Sequence, residues 1–174
     1  MDHSEDDVRV GLSPCGLGVF SLRRFTKHEW VGPIQGTVMD DPRYESDYCM
    51  ELGSARTLEP DGPFRFVNHS CHPNCELVEV EADEAEAVCD DQAEAGSIHG
   101  ELWLEVLCEI PAGQELTIDY AWPAAVAIPC RCGSADCRGW IVAAEEVGRV
   151  NHGPRSTKVS TNSARVSTSS ARVS

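Results

Sequence analysis

Hydrophobic positions in this chain come in short runs separated by Gly, Pro and acidic residues. That pattern predicts brief strands and turns rather than long helices. Val8 to Val10 reads as a strand. Pro14-Cys15-Gly16-Leu17-Gly18-Val19-Phe20 reads as a turn with two glycines followed by apolar residues. Trp30 to Val38 interrupts β-rich patches with Gly and Pro, which predicts a meander of short strands. Tyr48 to Gly53 and Thr57 to Leu58 each predict one more, the latter ended by the turn signal Pro60-Asp61-Gly62-Pro63. Glu76 to Val80 alternates apolar and acidic residues, as an exposed strand does. Glu101 to Ile110 is the most hydrophobic segment and reads as a strand, with a further one over Glu115 to Tyr120. The expectation is a mostly β domain.

Both ends depart from this pattern. Met1 to Asp7 is expected to be a disordered acidic arm. From Asn151 the chain turns to Ser, Thr, Val and Arg, and Ser160–Val166 is nearly repeated by Ser167–Val173. With so little apolar content, 146–174 is expected to be a disordered tail. Between the ends lie a main domain over 8–128 and a cysteine-rich segment over 129–145.

Charge and cysteines narrow the class. The net charge is −15, and nine of the 29 acidic residues fall between Glu79 and Glu101. Such a surface repels nucleic acid and anionic membranes and favours basic partners. Asp83 to Ser97 within it reads as a loop or a solvated helix. No apolar run approaches a membrane span, and the acidic start is no signal peptide. The chain is therefore expected to be intracellular and soluble, with nucleus against cytoplasm left open, as is the oligomeric state. There, nine cysteines are expected to bind metal or stay free.

Two stretches carry candidate chemistry. Arg65 to Cys75, R-F-V-N-H-S-C-H-P-N-C, takes a dense polar cluster into an apolar context. Its donors and acceptors need partners in the fold, a metal or a ligand. Read blandly, it is a buried turn whose Asn and His bond to backbone. Cys130, Cys132 and Cys137 form C-x-C-x4-C. Three thiolates so close suit zinc, whose structural sites take four ligands. The fourth must come from elsewhere, and Asn68 to Cys75 is the obvious donor. Three free structural cysteines are the alternative.

These blocks, with G-L-G-V-F upstream and G-Q-E-L-T-I-D-Y between them, resemble the SET-domain protein-lysine methyltransferases that carry a post-SET zinc motif. The resemblance covers roughly residues 9–142. It implies small curved β-sheets around a pseudoknot, with the N-H-S-C segment threaded beside the strand before the catalytic tyrosine. It implies S-adenosylmethionine as methyl donor and a structural Zn2+. It also implies a basic partner such as a histone tail in chromatin, without direct nucleic-acid or membrane binding.

Residue by residue, the resemblance makes Tyr120 catalytic. It puts Gly16, Leu17, Gly18, Tyr48, Asn68, His69 and Trp140 at the cofactor. It makes Cys71, Cys130, Cys132 and Cys137 the zinc ligands, and leaves Cys75 a buried thiol. Ile118 stands where the family often has Phe or Tyr, a position that influences how many methyl groups fit. Ala121-Trp122 also departs from the family's usual pair. The segment between Tyr48 and Asn68 is short, so substrate identity does not carry over. A catalytically inactive SET-fold module that binds basic peptides is the alternative, and a zinc-stabilised acidic scaffold a third reading. Lys158, in the tail, is an expected automethylation site.

Overall fold

In a computed structural model of the chain, residues 5–41, 43–44, 46–52, 56–80, 102–150 and 164–165 are described. The chain opens with a hairpin of β1 (Val8–Ser13) and β2 (Gly16–Ser21), turned at Pro14-Cys15. Gly16 sits at φ 115°, a conformation that an L side chain resists, so the tight turn needs glycine there. The glycine block expected as a turn is thus strand from its first glycine onward. Backbone pairing with β1 overrides the weak local propensity of Gly.

β3 (Trp30–Pro33) and β4 (Gly36–Met39) realise the expected meander. β5 (Met50–Glu51) and β6 (Thr57–Pro60) follow. A 3-10 turn over Pro63–Phe66 then leads into β7 (Asn68–His69). β8 (Cys75–Glu79), β9 (Leu102–Val106) and β10 (Glu115–Ile118) come next. β11 (Ile128–Pro129) and β12 (Trp140–Ile141) bracket the cysteine segment. β13 (Ala164–Arg165) lies in the tail. The expected loop or helix over Asp83 to Ser97 lies outside the described residues.

Among the described residues the strands form four small sheets, ordered β1-β2-β10-β7, β3-β9-β8, β13-β5-β6-β4 and β11-β12. The first three contribute to one core that includes Val19, Phe25, Ile34, Phe64, Leu104 and Ile118. Each fully buried side chain of this kind contributes about 1.5–3 kcal/mol of transfer free energy. A second, smaller cluster of Ala127, Val142 and Val150 sits with the cysteine segment.

Three expectations are corrected. β8 is not an exposed strand: Cys75, Leu77 and Val78 are all buried, because β9 pairs with it and β10 packs against it. The acidic arm is ordered from Glu5, where a 3-10 turn precedes β1 and Asp7 takes a 2.7 Å bond from Arg23 Nε. The tail does not begin at 146. A 3-10 helix spans Ala144–Arg149, Val150 is buried, and Ala164–Arg165 forms a strand. No helix among the described residues is long and apolar enough to cross a membrane.

Candidate active site

β7 brings the polar stretch into the core by pairing parallel with β10, Asn68 opposite Thr117 and His69 opposite Ile118. Ser70 N–H continues the seam to Ile118 O at 2.9 Å. Asn74 closes it from the side. Its buried amide donates to Glu115 O at 2.8 Å and accepts from Thr117 N–H at 2.8 Å. Leu107 N–H in turn donates to Asn74 O at 2.8 Å. Residues 68–74 are therefore held by β10 and Leu107, both much further along the chain. Asn74 bonds to backbone, as the bland reading of the stretch expects, and by doing so fixes its neighbours.

Asn68 ties the glycine block to this seam. Its Nδ2 lies 2.9 Å from Leu17 O, 2.7 Å from Glu115 Oε1 and 3.1 Å from Ser13 Oγ. The approach is so close that a Cβ on Gly18 would collide with the Glu115 carboxylate and lie 3.0 Å from Asn68 Nδ2. A side chain at Gly18 would have to push the Glu115 carboxylate and the Asn68 amide aside. Gly16, Leu17, Gly18 and Asn68 come together, with Leu17 exposed to solvent.

His69 is buried, and its Nδ1 accepts the Tyr120 backbone N–H at 3.2 Å. That leaves the proton of the neutral ring on Nε2, which faces Cys71 Sγ at 3.4 Å. Burial pulls the imidazole down to about 4, with Asp119 and Arg138 acting in opposite senses on it. The ring is therefore neutral at physiological pH, and its 3.5 Å approach to Asp119 Oδ1 is not an ion pair. Asp119 instead accepts from Arg138 Nη2 at 2.6 Å and from Ala121 N–H at 3.1 Å. Ala121 holds φ 47°, a strained turn for a non-glycine residue. The turn carries the chain from Tyr120 directly to buried Trp122.

Tyr120 donates its hydroxyl to Val67 O at 2.8 Å. Its ring lies 5.4 Å from His69 and 5.3 Å from Trp122. Burial pushes the phenol well above its usual range, so it stays protonated and is a donor rather than a base. Tyr120, Trp122, Ile118 and Val67 line a pocket together with Tyr48 and Arg65. The Arg65 guanidinium stands 4.4 Å over the Tyr48 ring, which meets Phe66 edge-on at 5.9 Å. Trp122 Nε1 is buried without a protein partner. Trp140 is not among the pocket residues; it packs on the cluster of Ala127, Val142 and Val150.

Cys71, Cys130, Cys132 and Cys137 bring their sulfurs within 4.8 Å of one another. Cys71 Sγ is 3.7 Å from Cys130 Sγ and 3.9 Å from Cys137 Sγ. Four sulfurs each about 2.3 Å from a zinc ion would lie about 3.8 Å apart. The donor set and spacing fit tetrahedral zinc, with Cys71 in position to supply the fourth donor that the three clustered cysteines lack. Cys75 is fully buried and apart, and burial raises its thiol far above the usual range.

Sequence reasoning missed Asn74, Asp119, Arg138 and Arg65 as site residues. Asp119 and Arg138 were visible only as the neighbours of Tyr120 and Cys137. Asn74 was visible only as the second Asn of the polar stretch.

Residues 16–121 match the SET domain family. Histone-lysine N-methyltransferase trr of Drosophila melanogaster is 30% identical over 145 residues, 72% of this chain and 5% of that protein. The H3 lysine-4 specific histone-lysine N-methyltransferase of Schizosaccharomyces pombe is 30% identical over 144 residues, covering 72% of this chain and 14% of that protein. Histone-lysine N-methyltransferase ASHH2 of Arabidopsis thaliana is 35% identical over 146 residues, covering 72% and 7%. The chain spans only these small fractions of the curated relatives it matches. A crystal structure of KRYPTONITE in complex with mCHH DNA, H3(1-15) peptide and SAH shares the fold. Its TM-score is 0.61 at 23% identity, over 77% of this chain and 29% of that one. With more than half of its length matched, this chain belongs to the SET domain family.

Proposed function

We propose that this chain is an S-adenosylmethionine-dependent protein-lysine N-methyltransferase acting on histone tails or similarly basic proteins. The observation that carries the reading is Tyr120: a protonated, hydrogen-bonded hydroxyl in a pocket wall, beside the seam that joins Asn68 and His69 to the glycine block. The cofactor, when bound, supplies a sulfonium methyl for attack by a lysine amine.

The amine must be neutral, and a free lysine titrates near about 10.4, so deprotonation at pH 7 costs about 4–5 kcal/mol. A pocket walled by Val67, Ile118, Tyr120 and Trp122 disfavours the ammonium form by desolvation. The Arg65 guanidinium, which also lines the pocket, disfavours it further as a like charge. Tyr120 positions the reacting groups and takes no proton. Gly16, Leu17, Gly18, Asn68 and His69 would hold the cofactor, and Tyr48 would flank the lysine. The unpartnered Trp122 indole N–H suits a ligand oxygen. Trp140, packed on the smaller cluster, would act as a support for the segment that closes one wall.

Zinc on Cys71, Cys130, Cys132 and Cys137 would be structural, ordering residues 129–145 against the 8–128 unit. A chain dependent on this cofactor and on reduced thiols works inside the cell. The test is transfer of labelled methyl to purified histones and to cell extract, with Tyr120→Phe beside it. Labelling that drops at least about 100-fold in the variant supports the reading. Equal labelling by both removes Tyr120 from catalysis. Cofactor binding without any labelling favours the inactive peptide-binding module.

A further inference from the structure

We propose that the chain's own C-terminal repeat docks along the edge of β5 away from β6 and acts there as a built-in pseudosubstrate. The inhibitory consequence rests on the methyltransferase reading above; the contact itself does not.

β5 pairs with β6 along one edge. The opposite edge of such a strand is a site where an extended segment adds as a new strand. β13 fills it in parallel, with Ala164 opposite Met50 and Arg165 opposite Glu51. Met50 lines the pocket that contains Tyr120, together with Asp47, Tyr48 and Cys49 just before it. A strand added at this edge runs beside the pocket wall, where a basic substrate peptide would have to run. One edge pairs with one strand, so tail and substrate exclude each other.

Three sequence features fit this occupant. Residues 151–174 hold four basic residues, Arg155, Lys158, Arg165 and Arg172, while all 29 acidic residues precede them. The tail thus matches the charge of the partner that the body attracts. No lysine follows Lys158, so the docked repeat offers no amine to methylate. Ala164-Arg165 recurs as Ala171-Arg172 in the second repeat, giving two equivalent segments for one edge. Tethering makes docking intramolecular, at an effective concentration on the order of millimolar. A basic peptide then binds only the fraction of molecules whose edge is open.

The test uses the full chain. Ala164→Pro with Ala171→Pro obstructs strand pairing in both repeats and keeps every charge. Arg165→Glu with Arg172→Glu keeps the backbone and puts an acidic residue at the position registered with Glu51. The first readout, amide exchange at residues 50–51 and 164–165, needs no activity. Both variants should lose about tenfold of protection there. The second is methylation of a lysine-containing basic peptide. KM should fall about tenfold with kcat unchanged, since saturating substrate already displaces the tail. Adding the synthetic peptide of residues 160–166 should raise KM again, competitively.

Unaltered exchange in both variants overturns the docking. Altered exchange with unchanged KM overturns the pseudosubstrate role. Altered exchange with no methylation of any peptide instead removes the methyltransferase reading and leaves the docked tail standing.

Discussion

The seam between β7 and β10 and the cysteine segment after Trp122 are both polar, yet they are held in place by opposite means. The seam is buried in the main core, and side chains such as Asn74 saturate its backbone from two directions. The cysteine segment has only the small cluster of Ala127, Val142 and Val150, one two-strand pairing and a set of converging thiols. A polar stretch in a large core is stabilised by satisfied hydrogen bonds. A segment with little core of its own needs a cross-link or a metal. The first region should therefore respond to changes in packing and hydrogen bonding, and the second to metal.

Removal of the zinc proposed for the four cysteines should break the comparison most visibly. Binding free energies of structural zinc run to about 10–16 kcal/mol, far beyond what the small cluster supplies. Chelation, or Cys130→Ser, should abolish amide protection across residues 128–150 while leaving β8 and β9 protected. Zinc content should fall from one equivalent to none. Retained protection of 128–150 in metal-free protein would overturn the division between the two regions.

Asn74→Ala should have the next largest effect, and on the other region. It orphans Glu115 O and Thr117 N–H within a buried seam, for about 2–4 kcal/mol of lost stability. In urea the midpoint should drop with the slope unchanged. A loss below about 1 kcal/mol would mean that water replaces the amide and that the seam does not depend on it. Gly18→Ala should cost about 1–3 kcal/mol through overpacking against Glu115 and Asn68. Gly18→Ala with Asn68→Ala should recover part of that, because one of the colliding groups is shortened.

The legibility of the two regions differs for a related reason. Strand positions such as β3, β4, β6, β9 and β10 were readable from local apolar runs, because each needs only its own pattern. The clustering of four cysteines was readable because C-x-C-x4-C is local and incomplete, and the family resemblance supplied Cys71. The parts that depend on distant partners were not readable. Nothing near Asn74 announces bonds to a strand about forty residues on. Nothing in E-L-V-E-V says that β10 will cover β8 and bury Val78 beside Leu77. β13 was read as disordered because its composition cannot build a core, whereas it borrows an edge from β5.

The smallest effect is the one that joins the regions. Arg138 follows Cys137, Asp119 precedes Tyr120, and their 2.6 Å bond links the cysteine segment to the stretch after β10 that carries the proposed catalytic hydroxyl. Both side chains are mostly shielded, at 15% and 28% exposure, so the pair is screened less than a surface bridge. In a double-mutant cycle, Asp119→Asn and Arg138→Gln should show a coupling of about 1 kcal/mol in unfolding. Each variant should also lower methyl transfer, because Asp119 shapes the turn that leads from Tyr120 to Trp122. If zinc alone orders the segment, the coupling vanishes and zinc-loaded Arg138→Gln transfers methyl at the native rate. If the bond passes the order of the metal site on to Tyr120, zinc occupancy stays complete while transfer falls. That split between metal content and turnover distinguishes a segment merely attached to the core from one that completes its active site.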